Sequence, residues 1–184
     1  MPRSAEKKKA PAARGATGGH AIFLRAVNVG GNTVKVKALA DALELVNIQA
    51  AGTFVCKDGR SAAALARAVR NVLPFETDVI VCTGADLRAA VATLAKLPVP
   101  AGTKRFVTLL ASVPAAPPTL PIERPDGPWE VRVTKIEGPF VLSLDRKLCE
   151  RRRFYPNEVV ERALGVGATT RGWDTITKVL ERLG

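Results

Sequence analysis

Apolar residues along the chain follow two spacings, one typical of strands and one typical of helices. Residues 21–27 form a short apolar run interrupted by one arginine, which predicts a strand. Val36, Leu39, Leu43 and Val46 then recur at intervals of three and four, as on an amphipathic helix. A turn with two adjacent glycines separates these elements, so the chain opens with a strand, a turn and a helix.

The same two patterns continue to residue 111. They predict strands at 52–56, 78–83 and 105–111, and helices at 61–72 and 87–97. Ser61 is a suitable N-cap for the first of these helices. In this order the elements indicate a ferredoxin-like β-α-β-β-α-β subdomain with one inserted helix, over residues 20–112.

Prolines mark the end of this unit. Six of the 13 prolines fall between Pro114 and Pro128, a density that is incompatible with a helix. We therefore predict a proline-rich linker over residues 113–128.

The remaining residues, 129–184, predict a smaller α+β subdomain. An alternating segment, a Glu-Gly-Pro turn and a second apolar segment indicate a hairpin. Two apolar stripes indicate helices, one beginning near Pro156 and one carrying Trp173. The predicted fold class is thus α+β with two subdomains.

Charge changes this picture at the N-terminus. The chain has 184 residues and a formal net charge of +11. Residues 1–19 contain five basic residues and one acidic residue, and no large apolar residue besides Met1. We expect this segment to be a disordered basic tail because it cannot repay the entropy of ordering.

Other features narrow the class of protein. No apolar stretch approaches the roughly 20 residues of a membrane span, and the N-terminus lacks the apolar segment of a signal peptide. Cys56, Cys82 and Cys149 are far apart, which is typical of reduced, packed thiols. With His20 as the sole imidazole, neither a metal nor a cofactor is implied. We expect a cytoplasmic protein.

The first turn is the main candidate for a ligand site. Strand alternation places Arg25 on the side of Phe23 and Val27, where a guanidinium needs either a structural carboxylate or a ligand anion. The glycines of the turn leave backbone N–H groups accessible to an anion, or simply permit a tight turn. The candidate residues are Arg25, Asn28, Gly30, Gly31 and Lys35.

A second basic region offers an alternative, nucleic acid, as the partner. It combines positive charge with an aromatic ring, as phosphate backbones and stacked bases require. Its residues are Arg146, Lys147, Arg151, Arg152, Arg153 and Tyr155. More often, however, such a run is simply a solvated surface.

Two segments carry most of a family resemblance, and the strand at 78–83 with the helix after it is a weaker match. Residues 23–36 read Phe-Leu-Arg-Ala-Val-Asn-Val-Gly-Gly-Asn-Thr-Val-Lys-Val, and residues 169–175 read Thr-Thr-Arg-Gly-Trp-Asp-Thr. Both are similar to segments of an uncharacterised bacterial family, domain of unknown function 1697. Ala26 stands where that family has glycine, and Gln-Ala-Ala-Gly-Thr at 49–53 stands where members show Gln-Ser-Gly-Asn.

The resemblance implies an α+β fold without an assigned activity, and it adds Arg171 and Trp173 to the candidate site. The leading hypothesis is binding of a small anionic ligand at the first turn, joined by Arg171. One alternative is a nucleic-acid-associated module that uses the basic tail and the second basic region. Another is an enzyme acting on a phosphorylated small molecule, in which Arg25, Arg171 and Asp174 converge.

Overall fold

The computed structural model describes residues 18–27, 35–49, 52–148 and 153–184. These residues form a mixed α+β architecture with two antiparallel sheets and five helices. The strands are β1 (His20–Leu24), β2 (Val46–Gln49), β3 (Thr53–Cys56), β4 (Val79–Thr83), β5 (Lys104–Leu110), β6 (Ile122–Arg124), β7 (Val131–Glu137), β8 (Phe140–Asp145) and β9 (Ala168–Gly172). The helices are α1 (Val36–Ala42), α2 (Ala62–Val72), α3 (Gly84–Ala95), α4 (Pro156–Leu164) and α5 (Trp173–Leu183).

The first sheet has the strand order β2-β3-β1-β4. All five residues of β1 are buried because both faces of this central strand are covered. Ile22 and Leu24 belong to the apolar cluster formed with α1 and α2, whereas Ala21 and Phe23 belong to the cluster on the opposite face. This alternation is the two-residue period of a strand.

The second sheet has the order β6-β7-β8-β5-β9. Residues 105–111, predicted as the fourth strand of the first unit, form β5 instead in this second sheet, between β8 and β9. Val107 and Leu109 point from β5 into the core shared with the first sheet, while Leu110 faces the cluster that contains α4. Long-range pairing of this kind is not encoded in the local pattern of a strand.

A central core joins the two sheets. It contains side chains of β1 and β3, of β5 and β8, and of α3 and α5. Leu87, Leu94 and Ile176 are fully buried there, and burial of a side chain of this size contributes about 1.5–3 kcal/mol. The C-terminal helix therefore packs against the sheet that begins the chain.

Three strands differ from the sequence predictions. Val46, predicted on the first helix, begins β2, because α1 ends at Ala42 and the next apolar residues pair with β3. The short strand β6 lies inside the predicted linker 113–128 and pairs with β7. The strand β9 was not predicted because its sequence, Ala-Thr-Thr-Arg-Gly, has little apolar character.

Several local predictions are confirmed. Ser61 caps α2 and accepts a hydrogen bond from Ala64 N at 3.2 Å. Pro156 stands at the start of α4, and Gly165 ends that helix with a φ of +65°. Within the described part of the chain, none of the helices combines the length and the apolar character that crossing a membrane requires.

Ala26 has a φ of +48°, in the left-handed region that favours glycine. The chain therefore turns immediately after β1, and Val27 packs with Ile22 and Leu24. The prediction that Val27 shares a side with Phe23 is wrong, because strand alternation stops at Leu24. Glycine, which the resembled family has at this position, would adopt this φ without strain.

Replacing Ala26 by glycine should stabilise the protein. Relief of the left-handed strain outweighs the greater entropy of an unfolded glycine, so the free energy of unfolding should rise by about 0.5–1 kcal/mol. Thermal unfolding of Ala26→Gly measures this change. The control is Ala92→Gly at an exposed position within α3, which should lower stability by about 1 kcal/mol. Equal destabilisation by both changes would contradict the strain argument.

Candidate functional site

Arg25 follows β1 and pairs with carboxylates from distant parts of the chain. Its Nε donates to Glu161 Oε1 at 2.6 Å, and Asp78 Oδ2 lies 3.8 Å from its Nη1. The backbone is fixed as well, because Arg25 N donates to Asp78 O and Thr77 Oγ1 donates to Arg25 O. Of the two partners open at the sequence level, the structure shows the structural carboxylate.

Arg25 and Glu161 each favour the charged form of the other. Burial by itself would raise the pKa of Glu161, but hydrogen bonds from Arg25 and from Ala168 N, together with the charge of Arg25, lower it overall. The hydrogen bond to Glu161 raises the pKa of Arg25 against a smaller opposing effect of burial. Both groups are therefore charged at neutral pH.

Arg25 also borders an open groove. Its side chain is 38% exposed, and neither terminal nitrogen makes a hydrogen bond with a residue that the structure describes. The groove has a volume of about 710 Å³. It is lined by Arg25, Arg70, Leu73, Pro74, Phe75, Glu76, Thr77 and Asp78. Thus Arg25 is anchored to Glu161 through Nε, and its side chain remains partly exposed at the groove.

Arg70 brings a second guanidinium to this groove. It lies in the last turn of α2, where a basic side chain is favourable for the helix dipole. It is exposed and has no hydrogen bond or ion pair among the described residues. Sequence reasoning did not select Arg70, because only the folded chain brings the end of α2 beside Arg25.

Arg171, in β9, is only 8% exposed. Its Nε donates to Thr53 Oγ1 at 2.7 Å, its Nη1 to Thr169 Oγ1 at 2.7 Å, and its Nη2 to Leu24 O at 3.0 Å. Desolvation lowers the pKa of Arg171 to about 10, which leaves the group charged at neutral pH. A buried cation in these contacts holds β1, β3 and β9 together.

Gly52 allows the backbone before β3 to pass close to Leu24 at the end of β1. Leu24 N donates to Gly52 O at 2.9 Å, and a Cβ on Gly52 would lie 2.9 Å from the side chain of Val27. Its φ of +68° also favours glycine. The segments around Leu24, Gly52 and Arg171, three stretches compared with the family at the sequence level, thus meet in space.

Other predicted residues lie elsewhere. Trp173 begins α5, with the Arg105 guanidinium 4.9 Å from its ring centre, and packs against the central core. Lys35 is exposed at the N-cap of α1. Asn28, Gly30 and Gly31 lie outside the described residues. No hydrogen bond or ion pair in the described part of the chain joins Asp174 to Arg25 or Arg171.

The second basic region is partly occupied by internal contacts. The guanidinium of Arg146 lies 4.1 Å from the ring centre of Trp129, and its Nε donates to Trp129 O at 2.7 Å. Arg153 N donates to the buried Glu130 at 3.0 Å. Lys147 and Tyr155 are exposed, whereas Arg151 and Arg152 lie outside the described residues. Arg146 is therefore engaged in contacts within the fold.

Glu161→Gln should destabilise the protein at neutral pH by about 1 kcal/mol, because Arg25 loses its charged acceptor in a partly exposed pair. The folded-state pKa of Glu161 is lowered, so its contribution is present above the ordinary value of 4.5 and is lost as pH falls below it. Denaturant unfolding at pH 7 and pH 3 should therefore show a difference between wild type and variant that shrinks in acid. Glu158→Gln on the same helix is the control, and a pH-independent difference would contradict the electrostatic account.

Known proteins resemble this chain both in fold and in sequence. The described fold is similar to that of "conserved bacterial protein SP0830 from Streptococcus pneumoniae", with a TM-score of 0.56 and 16% sequence identity, over 91% of this chain and 99% of that one. No curated protein matches the chain. A family model does match, over residues 18–136, which is more than half of the chain. The resemblance seen in the sequence is confirmed, and the chain belongs to the family described as Protein of unknown function (DUF1697).

Proposed function

We propose that this protein binds a small anionic ligand in the groove lined by Arg25 and Arg70. The observation that carries the proposal is the half-occupied guanidinium of Arg25. Its Nε is held by Glu161 and its Nη1 lies 3.8 Å from Asp78 Oδ2, but neither terminal nitrogen makes a hydrogen bond with a described residue. Guanidinium nitrogens in this state can donate to a carboxylate or to phosphate oxygens.

The other groove residues favour a ligand with one anionic group and an apolar body. Arg25 and Arg70 supply two positive charges, and Phe75, Leu73 and Pro74 supply an apolar wall. Glu76 and Asp78 also line the groove and would repel a ligand of high negative charge. Monocarboxylates and phosphate monoesters fit this balance better than triphosphates do.

Arg171 supports the site indirectly. Its donors are directed at Leu24 O, Thr53 and Thr169, so it is a positioning residue that fixes the end of β1 next to Arg25. The turn at 28–31, the centre of the sequence hypothesis, follows Arg25 by three residues. It lies outside the described residues.

We also propose a ferredoxin-like identity for the first sheet and its helices. The elements β1, α1, β2, β3, α2 and β4 follow the order β-α-β-β-α-β, and the strand order β2-β3-β1-β4 fits that topology. In this assignment the unit ends at β4, and α3 connects it to a second unit built on the larger sheet. Two subdomains then share the central core.

A thermal-shift titration of the full chain tests ligand binding. Inorganic phosphate, acetate, benzoate, phenyl phosphate and ATP cover the relevant charges and shapes. A saturating ligand at 100 times its Kd stabilises the folded state by about 2.7 kcal/mol, or about 5–10 °C at this chain length. We expect benzoate or phenyl phosphate to shift the melting temperature more than ATP does.

Two variants of α2 test whether the ligand-induced shift in melting temperature arises from binding in the groove. Arg70→Ala should abolish the shift while leaving the unliganded melting temperature within about 2 °C, because the side chain is exposed. Arg67→Ala, also exposed on α2 but outside the groove, should retain the full shift. An equal loss in both variants, or no shift with any of the five anions, would refute the proposal.

A further inference from the structure

Among the described residues, the strand β4 pairs with a neighbouring strand on one side only. It is the edge strand of the first sheet and pairs with β1 in the register Phe23–Ile80 and Ala21–Cys82. The hydrogen bonds from Arg25 N to Asp78 O and from Gly84 N to Gly19 O bracket this ladder. By the alternation of an antiparallel pair, Ile80 and Cys82 direct their backbone groups at β1, and Val79, Val81 and Thr83 direct theirs away from the sheet.

A groove runs along this free edge. It consists of two adjoining cavities of about 500 and 310 Å³ that share Ala62, Val81, Cys82, Pro139 and Phe140. Side chains from both faces of β4 line it, so it follows the edge of the strand rather than one of its faces. The walls include small residues, Ala62 and Ala66 of α2 and Ala89 and Ala90 of α3, together with the larger Leu109, Leu110 and Phe140 of the second sheet. An extended chain added to β4 would lie about 4.8 Å from it.

The sequence of this edge strand lacks the residues that usually block strand addition. Proteins protect edge strands with charged side chains, proline or very short length. The sequence of β4, Val-Ile-Val-Cys-Thr, has neither charge nor proline. By contrast β6, an edge of the second sheet, has three residues and stands between Pro121 and Pro125.

Charge indicates which kind of strand fits. Asp86 and Glu137 line the groove, and the described residues of its lining include no lysine or arginine, in a protein of net charge +11. Lys135 approaches Glu137 at 3.7 Å without lining the groove. Pairing of two copies through β4 would bring the carboxylates of both copies together, which is unfavourable. A basic partner segment would meet opposite charge.

We propose that β4 accepts an extended, basic polypeptide segment from a partner as an additional strand of the first sheet. The backbone groups of Val79, Val81 and Thr83 form the ladder, and the walls of the groove receive alternate side chains. Asp86 and Glu137 select for lysine or arginine on the segment. This surface is distinct from the groove of Arg25 and Arg70, so the proposal stands apart from the ligand site.

Synthetic peptides test the proposal on the full chain. The probe is an eight-residue peptide of alternating Lys and Val, compared with one of alternating Glu and Val and with a Lys-Val peptide carrying a central proline. We expect the Lys-Val peptide to bind at least tenfold more tightly than either control in calorimetric titration. On binding, hydrogen exchange at the amides of Val81 and Thr83 should slow at least tenfold, because these amides enter a ladder.

Two variants separate the backbone and charge contributions. Val81→Pro removes an amide that points away from β1, so the sheet is retained while peptide affinity falls at least tenfold. Should that variant fail to fold, the double variant Asp86→Asn with Glu137→Gln gives an independent test, with an expected loss of at least fivefold and a weaker dependence on salt. Glu181→Gln, exposed on α5, should bind as wild type does.

Several results would overturn the proposal. Equal binding of the Lys-Val and Glu-Val peptides would exclude selection by charge, and absence of binding at millimolar peptide would exclude strand addition. Sedimentation that reveals a dimer of the wild-type chain, dissociated by Val81→Pro, would assign the edge to a second copy. Unchanged affinity in both the proline variant and the double variant would place the peptide elsewhere.

Discussion

The guanidinium of Arg171 is the contact on which the geometry around the candidate site depends. It reaches from β9 in the second sheet to Leu24 and Thr53 in the first, with donor distances of 2.7–3.0 Å. Removing this side chain would leave buried oxygens without their donor, which costs about 1–3 kcal/mol for each unsatisfied group. Burial lowers the pKa of Arg171 to about 10. The hydrogen bonds of the guanidinium compensate for part of the free-energy cost of burying its charge, and they also hold the two sheets in one arrangement.

Arg25 depends on that arrangement. It follows Leu24, whose carbonyl Arg171 fixes, and its partner Glu161 lies on α4, which packs against the second sheet. Glu161 in turn accepts from Ala168 N at the start of β9. The Arg25–Glu161 pair therefore depends on β1 and β9 lying next to each other. A site of this kind is assembled from both ends of the chain, and neither end contains it alone.

The sequence predicted those elements whose apolar pattern reflects their own surroundings. Ser61 and the stripe of α2 are local features, and the prediction for that helix is confirmed. The strand β2 was missed because Val46 continued the spacing of the preceding helix, and β9 was missed because its buried Thr169 and Arg171 are polar. Their burial is satisfied by partners more than 100 residues away, which no local pattern reveals.

The candidate site, too, could be predicted only in part from the sequence. Arg25 could be selected from the sequence because a charge within an apolar strand requires a partner. Its partner Glu161, however, is 136 residues away, and Arg70 belongs to a different element, α2. What connects the two proposed surfaces is β4. Asp78, just before β4, borders the ligand groove, and Asp86, just after it, borders the strand-addition groove. Because Arg25 N donates to Asp78 O in the last rung of the β1–β4 ladder, any shift of β4 along β1 would also displace Asp78 relative to the guanidinium of Arg25.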